Sequence, residues 1–310
     1  MAAERTSLPP IRRRSRRGSR AGAMVLLLLS TFAAAIAPAA EPAIWSVDGR
    51  GGELLLLGSV HLLRPEDYPL PANVTAAYEE ADRLVMELDE SDLDPMEVQM
   101  LLLRVGRLEE GRTLADVMGS RDYRKATEYA QALGYPLEPL GPLKPWLAAI
   151  TLMNLHTVSL GYSAELGLEQ HLTGLARRDG KPIAALETIE FQLELFDGLP
   201  EATQSSLLLQ TLEEASMMDD QLGQLIDAWR NGDSAALDRE LTRSFDDYPE
   251  VYRQLVTDRN RDWTRQLEKL AAEDGVTLVV VGALHLVGEN SLIRMLRDRG
   301  RRVERWRPDD

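Results

Sequence analysis

Glu53-Leu54-Leu55-Leu56-Leu57-Gly58-Ser59-Val60-His61 sets a pattern that Thr277-Leu278-Val279-Val280-Val281-Gly282-Ala283-Leu284-His285 repeats 224 positions later. Each stretch is a short apolar run closed by Gly-x-x-His. A run of that length, bounded by a turn residue, predicts a strand buried on both faces. The glycine is expected to let the backbone turn where a Cβ would crowd it. Each histidine then stands just beyond the carboxyl end of its strand, where open α/β sheets hold their ligands.

Other strands fall into place around these two. Ala43 to Val47 is joined to the first run through Asp48-Gly49, a hairpin signal. Arg83 to Asp89 and Lys181 to Thr188 read as strands that end near Glu87 and Glu187, and Arg302 to Trp306 reads as a last strand. The intervening sequence is helical in pattern: Asn73 to Ala81, much of 94–135, Pro145 to about Leu160, 163–178, 201–231 and a restart at Asp233. Proline opens the third of these well. Pro249 to Ala272 predicts a helix whose apolar stripe is Val251, Leu255, Trp263, Leu267 and Leu270. Arg259 falls on that stripe, and Asn260 lies next to it. Ser291 is the expected cap of a helix from Leu292 to Arg299. The fold class that follows is α/β, with a mixed sheet from two related halves and a large helical insertion between them.

Composition narrows the chemistry. The chain of 310 residues is 44% hydrophobic and 27% charged, which is ordinary for a globular protein. It has no cysteine, which excludes disulfides, cysteine-ligated zinc, iron–sulfur clusters and thiol nucleophiles. Residues 1–40 read as a signal peptide, with a basic head from Arg12 to Arg20, an apolar stretch from Met24 to Ala37 and the small-x-small site Ala37-Pro38-Ala39. An uncleaved membrane anchor is the alternative. Ser15-Arg16-Arg17 hints at twin-arginine export, although Gly18-Ser19-Arg20 matches it poorly. The expected organisation is a signal peptide over 1–40, one domain over 41–310, and a periplasmic or secreted location. The first forty residues carry seven of the 35 basic groups and one of the 50 acidic ones, leaving a net charge of −21 on the rest. So acidic a surface argues against nucleic acid or anionic membrane as a partner.

Two histidines and two glutamates at strand ends predict a metal site with His61, His285 and Glu87 as ligands. Imidazole with carboxylate suits zinc, manganese, cobalt or iron(II). A cation held by so few protein groups keeps a position for water and lowers that water's pKa. Glu87 is the leading candidate to activate the water, with Glu187 as the second acid. Arg259 is either half of a structural ion pair or a clamp for an oxyanion. His171 reads as a core residue. No Gly-x-Ser-x-Gly elbow, phosphate loop or His-Glu-x-x-His is present.

Gly58-Ser59-Val60-His61, Met86-Glu87, Lys144-Pro145-Trp146, Leu186-Glu187-Thr188, Arg259-Asn260 and Gly282-Ala283-Leu284-His285-Leu286-Val287-Gly288 together resemble the TraB/GumN family, over about residues 43–306. The resemblance implies an erythromycin-esterase/ChaN-like fold and a metal-dependent hydrolase. It would be a peptidase served by manganese or cobalt, with His61, Glu87, Glu187, Arg259 and His285 at the centre and Asn260 beside them. Its partners would be peptide or small-molecule substrates. A non-catalytic protein of the same fold that binds haem or peptide, or an envelope assembly factor, is the alternative.

Overall fold

The computed structural model describes residues 41–89 and 94–308, so the expected signal peptide lies outside the described residues. The strands are β1 (Ile44–Asp48), β2 (Gly52–Ser59), β3 (Arg83–Met86), β4 (Ile183–Ala185), β5 (Gly275–Gly282) and β6 (Val303–Arg305). They form one mixed sheet in the order β4-β3-β5-β2-β1-β6. β4, β3, β5 and β2 run parallel, while β1 is antiparallel to both β2 and β6. Every strand expected from the sequence is present, with the ends of the β3 and β4 segments shorter than their apolar pattern.

The long leucine and valine runs are buried on both faces of the sheet. Side chains alternate across a strand, so Leu55, Leu57, Leu84, Met86, Leu278 and Val280 enter one core. Leu54, Leu56, Val85, Val279 and Val281 enter the other. β4 departs from expectation. It is an edge strand whose Ala184 and Ala185 are exposed, because only β3 pairs with it.

The helices are α1 (Ala72–Glu80), α2 (Pro95–Gly106), α3 (Leu114–Ala132), α4 (Pro145–Ser159), α5 (Leu168–Asp179), α6 (Ile189–Asp197) and α7 (Glu201–Glu214). They continue with α8 (Met218–Arg230), α9 (Ser234–Thr242), α10 (Pro249–Tyr252), α11 (Asp258–Leu270) and α12 (Leu292–Asp298). α1, α5 and α8 cover the first face through Val74, Leu168, Leu172, Ile226 and Trp229. α11 and α12 cover the second through Trp263, Leu267, Leu292 and Leu296. α3, α4 and α7 build a separate helical core around Leu114, Ala126, Ala148, Leu152 and Leu208. This is the helical insertion the sequence implies. Among the described residues no helix is long and apolar enough to cross a membrane.

The helix expected from Pro249 to Ala272 is interrupted. Arg253–Thr257 winds as a π-helix between α10 and α11. The wider turn alters the stripe. Val251, Val256, Trp263 and Leu267 are buried apolar residues, while Leu255 and Arg259 face a cleft. π-turns of this kind are frequent at functional sites.

Candidate functional site

β2 and β5 are neighbours, with Ser59 paired to Gly282. The two Gly-x-x-His turns therefore leave the sheet side by side, and the sequence distance between their histidines disappears. The glycines serve close approach rather than an unusual turn, since the backbone of Gly282 has an ordinary φ of −49°. A Cβ on Gly58 would lie 3.0 Å from the Cα of Ala283. A Cβ on Gly282 would lie 3.3 Å from Glu87 Oε1 and 3.5 Å from His61 Nε2, with Cδ2 of His285 at 3.7 Å. Gly282 is thus the point on which both imidazoles and one carboxylate converge.

Each imidazole is fixed through its Nδ1. His61 Nδ1 lies 2.6 Å from Oε1 of Glu169, on α5. The start of α5 is tied to the turn after β2 by the Leu168 N–H, which donates to the Val60 carbonyl at 3.2 Å. Burial opposes charge on Glu169, but His61 and the Ser59 hydroxyl outweigh it and hold the carboxyl below its usual range. An ionised carboxylate only accepts, so the proton on that side of His61 sits on Nδ1.

His285 Nδ1 lies 2.6 Å from Asn260 Oδ1. The Asn260 amide donates to the carbonyls of His285 at 3.3 Å and Asn290 at 2.7 Å, which turns its oxygen toward the ring. His285 is therefore protonated on Nδ1 and presents a lone pair at Nε2. Burial, with the Arg259 charge beside it, pushes its pKa down to about 4, so the ring is neutral at pH 7.

Arg259 binds the acids together. Its Nη2 donates to Glu87 Oε2 at 2.7 Å and to Glu187 Oε2 at 2.8 Å, and its Nε donates to Glu187 Oε1 at 3.0 Å. Nη1 donates to the Leu255 carbonyl at 3.0 Å and toward His285 Nε2 at 3.2 Å. All five N–H groups of the guanidinium are committed. Glu187 also accepts from Trp263 Nε1 at 2.8 Å and Gln192 Nε2 at 3.2 Å. Glu87 is held by the Gly282 N–H at 2.7 Å on Oε1. Burial disfavours its charge, yet the Arg259 guanidinium and that N–H keep its carboxyl below the ordinary range. β3 and β4 bring the two acids together, because Glu187 N–H donates to the Glu87 carbonyl at 3.0 Å just past the strand ends.

The six residues singled out by sequence, His61, Glu87, Glu187, Arg259, Asn260 and His285, thus meet in one place. Glu169 and Gln192 join them without having been expected. The site floors a cleft of about 410 Å³ whose other walls include Leu195, Phe196, Leu225, Leu241 and Phe245. His171 stands apart, its ring 5.5 Å from that of Tyr68.

The donor chemistry fits a divalent cation of borderline softness: two imidazoles, each anchored through Nδ1, with a carboxylate nearby. His285 Nε2 and Glu87 Oε1 are 3.8 Å apart. As the side chains stand, no group of three or more His, Asp or Glu among the described residues closes into a coordination cluster. Arg259 Nη1 also lies over the His285 lone pair, 3.2 Å from Nε2.

The model of the TraB/PrgY/gumN family matches residues 43–305. The uncharacterized protein YbaP of Escherichia coli K12 is 28% identical over 242 residues, covering 78% of this chain and 87% of that one. An uncharacterized protein of Treponema pallidum is 20% identical over 271 residues, covering 84% and 81%. No solved structure matches.

Proposed function

The chain belongs to the TraB/PrgY/gumN family, and from that premise we propose that it is an exported, divalent-cation-dependent hydrolase acting on peptides. The observation that carries this reading is the convergence of His61 Nε2, Glu87 Oε1 and His285 on Gly282, with both Nδ1 atoms already engaged. His61, His285 and Glu87 would hold the cation, of which manganese, cobalt, zinc and iron(II) suit the donors. Bound there, it would acidify a water and polarise a carbonyl.

The remaining residues position these three. Glu169 and Asn260 set the tautomers of His61 and His285. Glu187 anchors Arg259, and Arg259 holds Glu87 in place. Arg259 supplies charge, and a cation on His285 Nε2 would release the one Nη1 N–H now directed at that nitrogen. Glu87, kept ionised, is a better donor and water-orienting group than a proton acceptor tuned to neutral pH. The floor is uneven in exposure: Arg259, Glu187 and His285 are withdrawn from water, which strengthens the charge interactions among them, while His61 stands open to solvent. The parallel pairing of β2 with β5 supports an erythromycin-esterase/ChaN-like origin from two related halves.

A peptide-binding protein without turnover is the second reading, favoured by the Arg259 bond across the His285 lone pair. The test is purified protein stripped with chelator and refilled with single cations, then assayed on a peptide library. Hydrolysis should return with at least one cation and be lost in His61→Ala and His285→Ala. Activity absent with every cation, or unchanged in both variants, would remove the hydrolase reading.

A further inference from the structure

A second cavity of about 320 Å³ lies against the first. Phe196, Phe245 and Leu255 line both, so the two share a wall. The sides of the second cavity are apolar, built from Trp146, Ile150 and Met153 of α4 and Leu207 of α7. One part of its lining is not. Gln210 and Glu214, on the last turns of α7, meet Ser244 there.

Glu214 is held by neutral groups. Gln210 Nε2 donates to its Oε1 at 3.0 Å and to the Ser244 carbonyl at 3.1 Å, while Ser244 Oγ donates to its Oε2 at 3.4 Å. Its neighbour Glu213 is paired with Lys125 at 3.5 Å, but Glu214 has no ion pair among the described residues. The cavity therefore contains a carboxylate, held by neutral groups, with no cationic side chain within ion-pair distance among the described residues.

Apolar walls with an uncompensated carboxylate select an aliphatic stem that carries a cationic tip. A volume at the low end of ligand cavities suits one long side chain rather than a macrocycle such as haem. The net charge of −15 draws cationic partners to the surface in the same sense. We propose that this cavity is the specificity subsite for a basic side chain, lysine or arginine, of a peptide whose backbone crosses the neighbouring cleft. The substrate class rests on the peptide reading above, but the binding step requires neither cation nor turnover.

The test is titration calorimetry on the full chain with excess chelator, using a blocked Gly-Lys-Gly peptide and its norleucine counterpart. The lysine peptide should bind roughly tenfold more tightly, and Glu214→Gln should abolish that preference while leaving norleucine affinity and the melting temperature unchanged. Equal affinities in the native protein, binding of neither peptide, or a preference that survives in Glu214→Gln would each overturn the proposal. A lysine preference without hydrolysis under any cation would sink the proposed activity and leave the subsite standing. Hydrolysis that proceeds equally on lysine and norleucine peptides would do the reverse.

Discussion

Nη2 of Arg259 lies 2.7 Å from Oε2 of Glu87, across 172 residues of sequence. Both side chains are largely withdrawn from water. The same nitrogen reaches Glu187, so one cation is shared by two acids at the ends of neighbouring strands. The charge on Glu87 is therefore a property of the assembled site, because the strand end alone would leave it bare in a poorly solvated place.

Removing that cation should cost stability before it costs anything else. Arg259→Ala leaves two buried carboxylates without a counter-charge, and a loss of roughly 3–5 kcal/mol is expected in urea denaturation. Arg259→Lys should recover only part of it, since an ammonium cannot repeat the five-point fork. A loss under about 1 kcal/mol in Arg259→Ala would mean that water already screens the network.

How much of this was written legibly in the chain depends on the residue. The β2 and β5 runs and their histidines could be read because an unbroken apolar stretch has few other folded uses. The sequence marks Glu187 only on the premise that its strand is buried. β4 is in fact an exposed edge, and Glu187 is covered instead by Arg259 and Trp263 from α11. The role of Arg259 stayed open in the sequence because it depends on counting partners drawn from three distant segments. Glu169 is not legible in the sequence for a plainer reason. It follows Leu168 on an amphipathic helix, where a glutamate reads as solvated, and only the docking of α5 against the turn after β2 buries it. The π-turn before Arg259 has no sequence signature either, so the helical stripe puts Leu255 in the core although it lines the cleft.

The metal-free protein should lose stability as it is acidified, starting above the carboxylate range. His285 is held neutral, with its pKa lowered to about 4, whereas in the unfolded chain it titrates near 6.5. Between those values the unfolded state binds the extra proton, so stability is fully present above pH 6.5 and falls as the pH drops toward 4. The expected loss is of order 3 kcal/mol. The lowered carboxyls of Glu87 and Glu169 contribute stability that is lost at still lower pH, in the same direction. Denaturation midpoints measured with chelator from pH 7.5 to 4.5 should show the slope, and His285→Asn should flatten it. A native protein with no slope over this range would show that the ring is protonated or solvated in the folded state.

Glu169 separates positioning from folding. Its carboxylate fixes the proton of His61 on Nδ1 from 2.6 Å and so aims Nε2 at the space over Gly282. Glu169→Gln keeps the shape and can still accept through its amide oxygen, but it removes the charge that makes the imidazole a stronger donor. Partners of this kind typically matter about 10–100-fold in cation affinity. Glu169→Gln should therefore bind manganese or cobalt weakly while its melting temperature without cation falls little. Glu169→Ala should bind weaker still, because the ring is then free to turn. Gly282→Ala provides the contrast. Its new Cβ would stand 3.3 Å from Glu87 Oε1, narrowing the space between the donors without touching either Nδ1 bond. Affinity should fall in Gly282→Ala with the tautomer of His61 unchanged by nitrogen-15 NMR, and fall in Glu169→Ala with the tautomer no longer held on Nδ1. Unchanged cation affinity in both variants would mean that these imidazoles hold no ion and that their convergence serves another ligand.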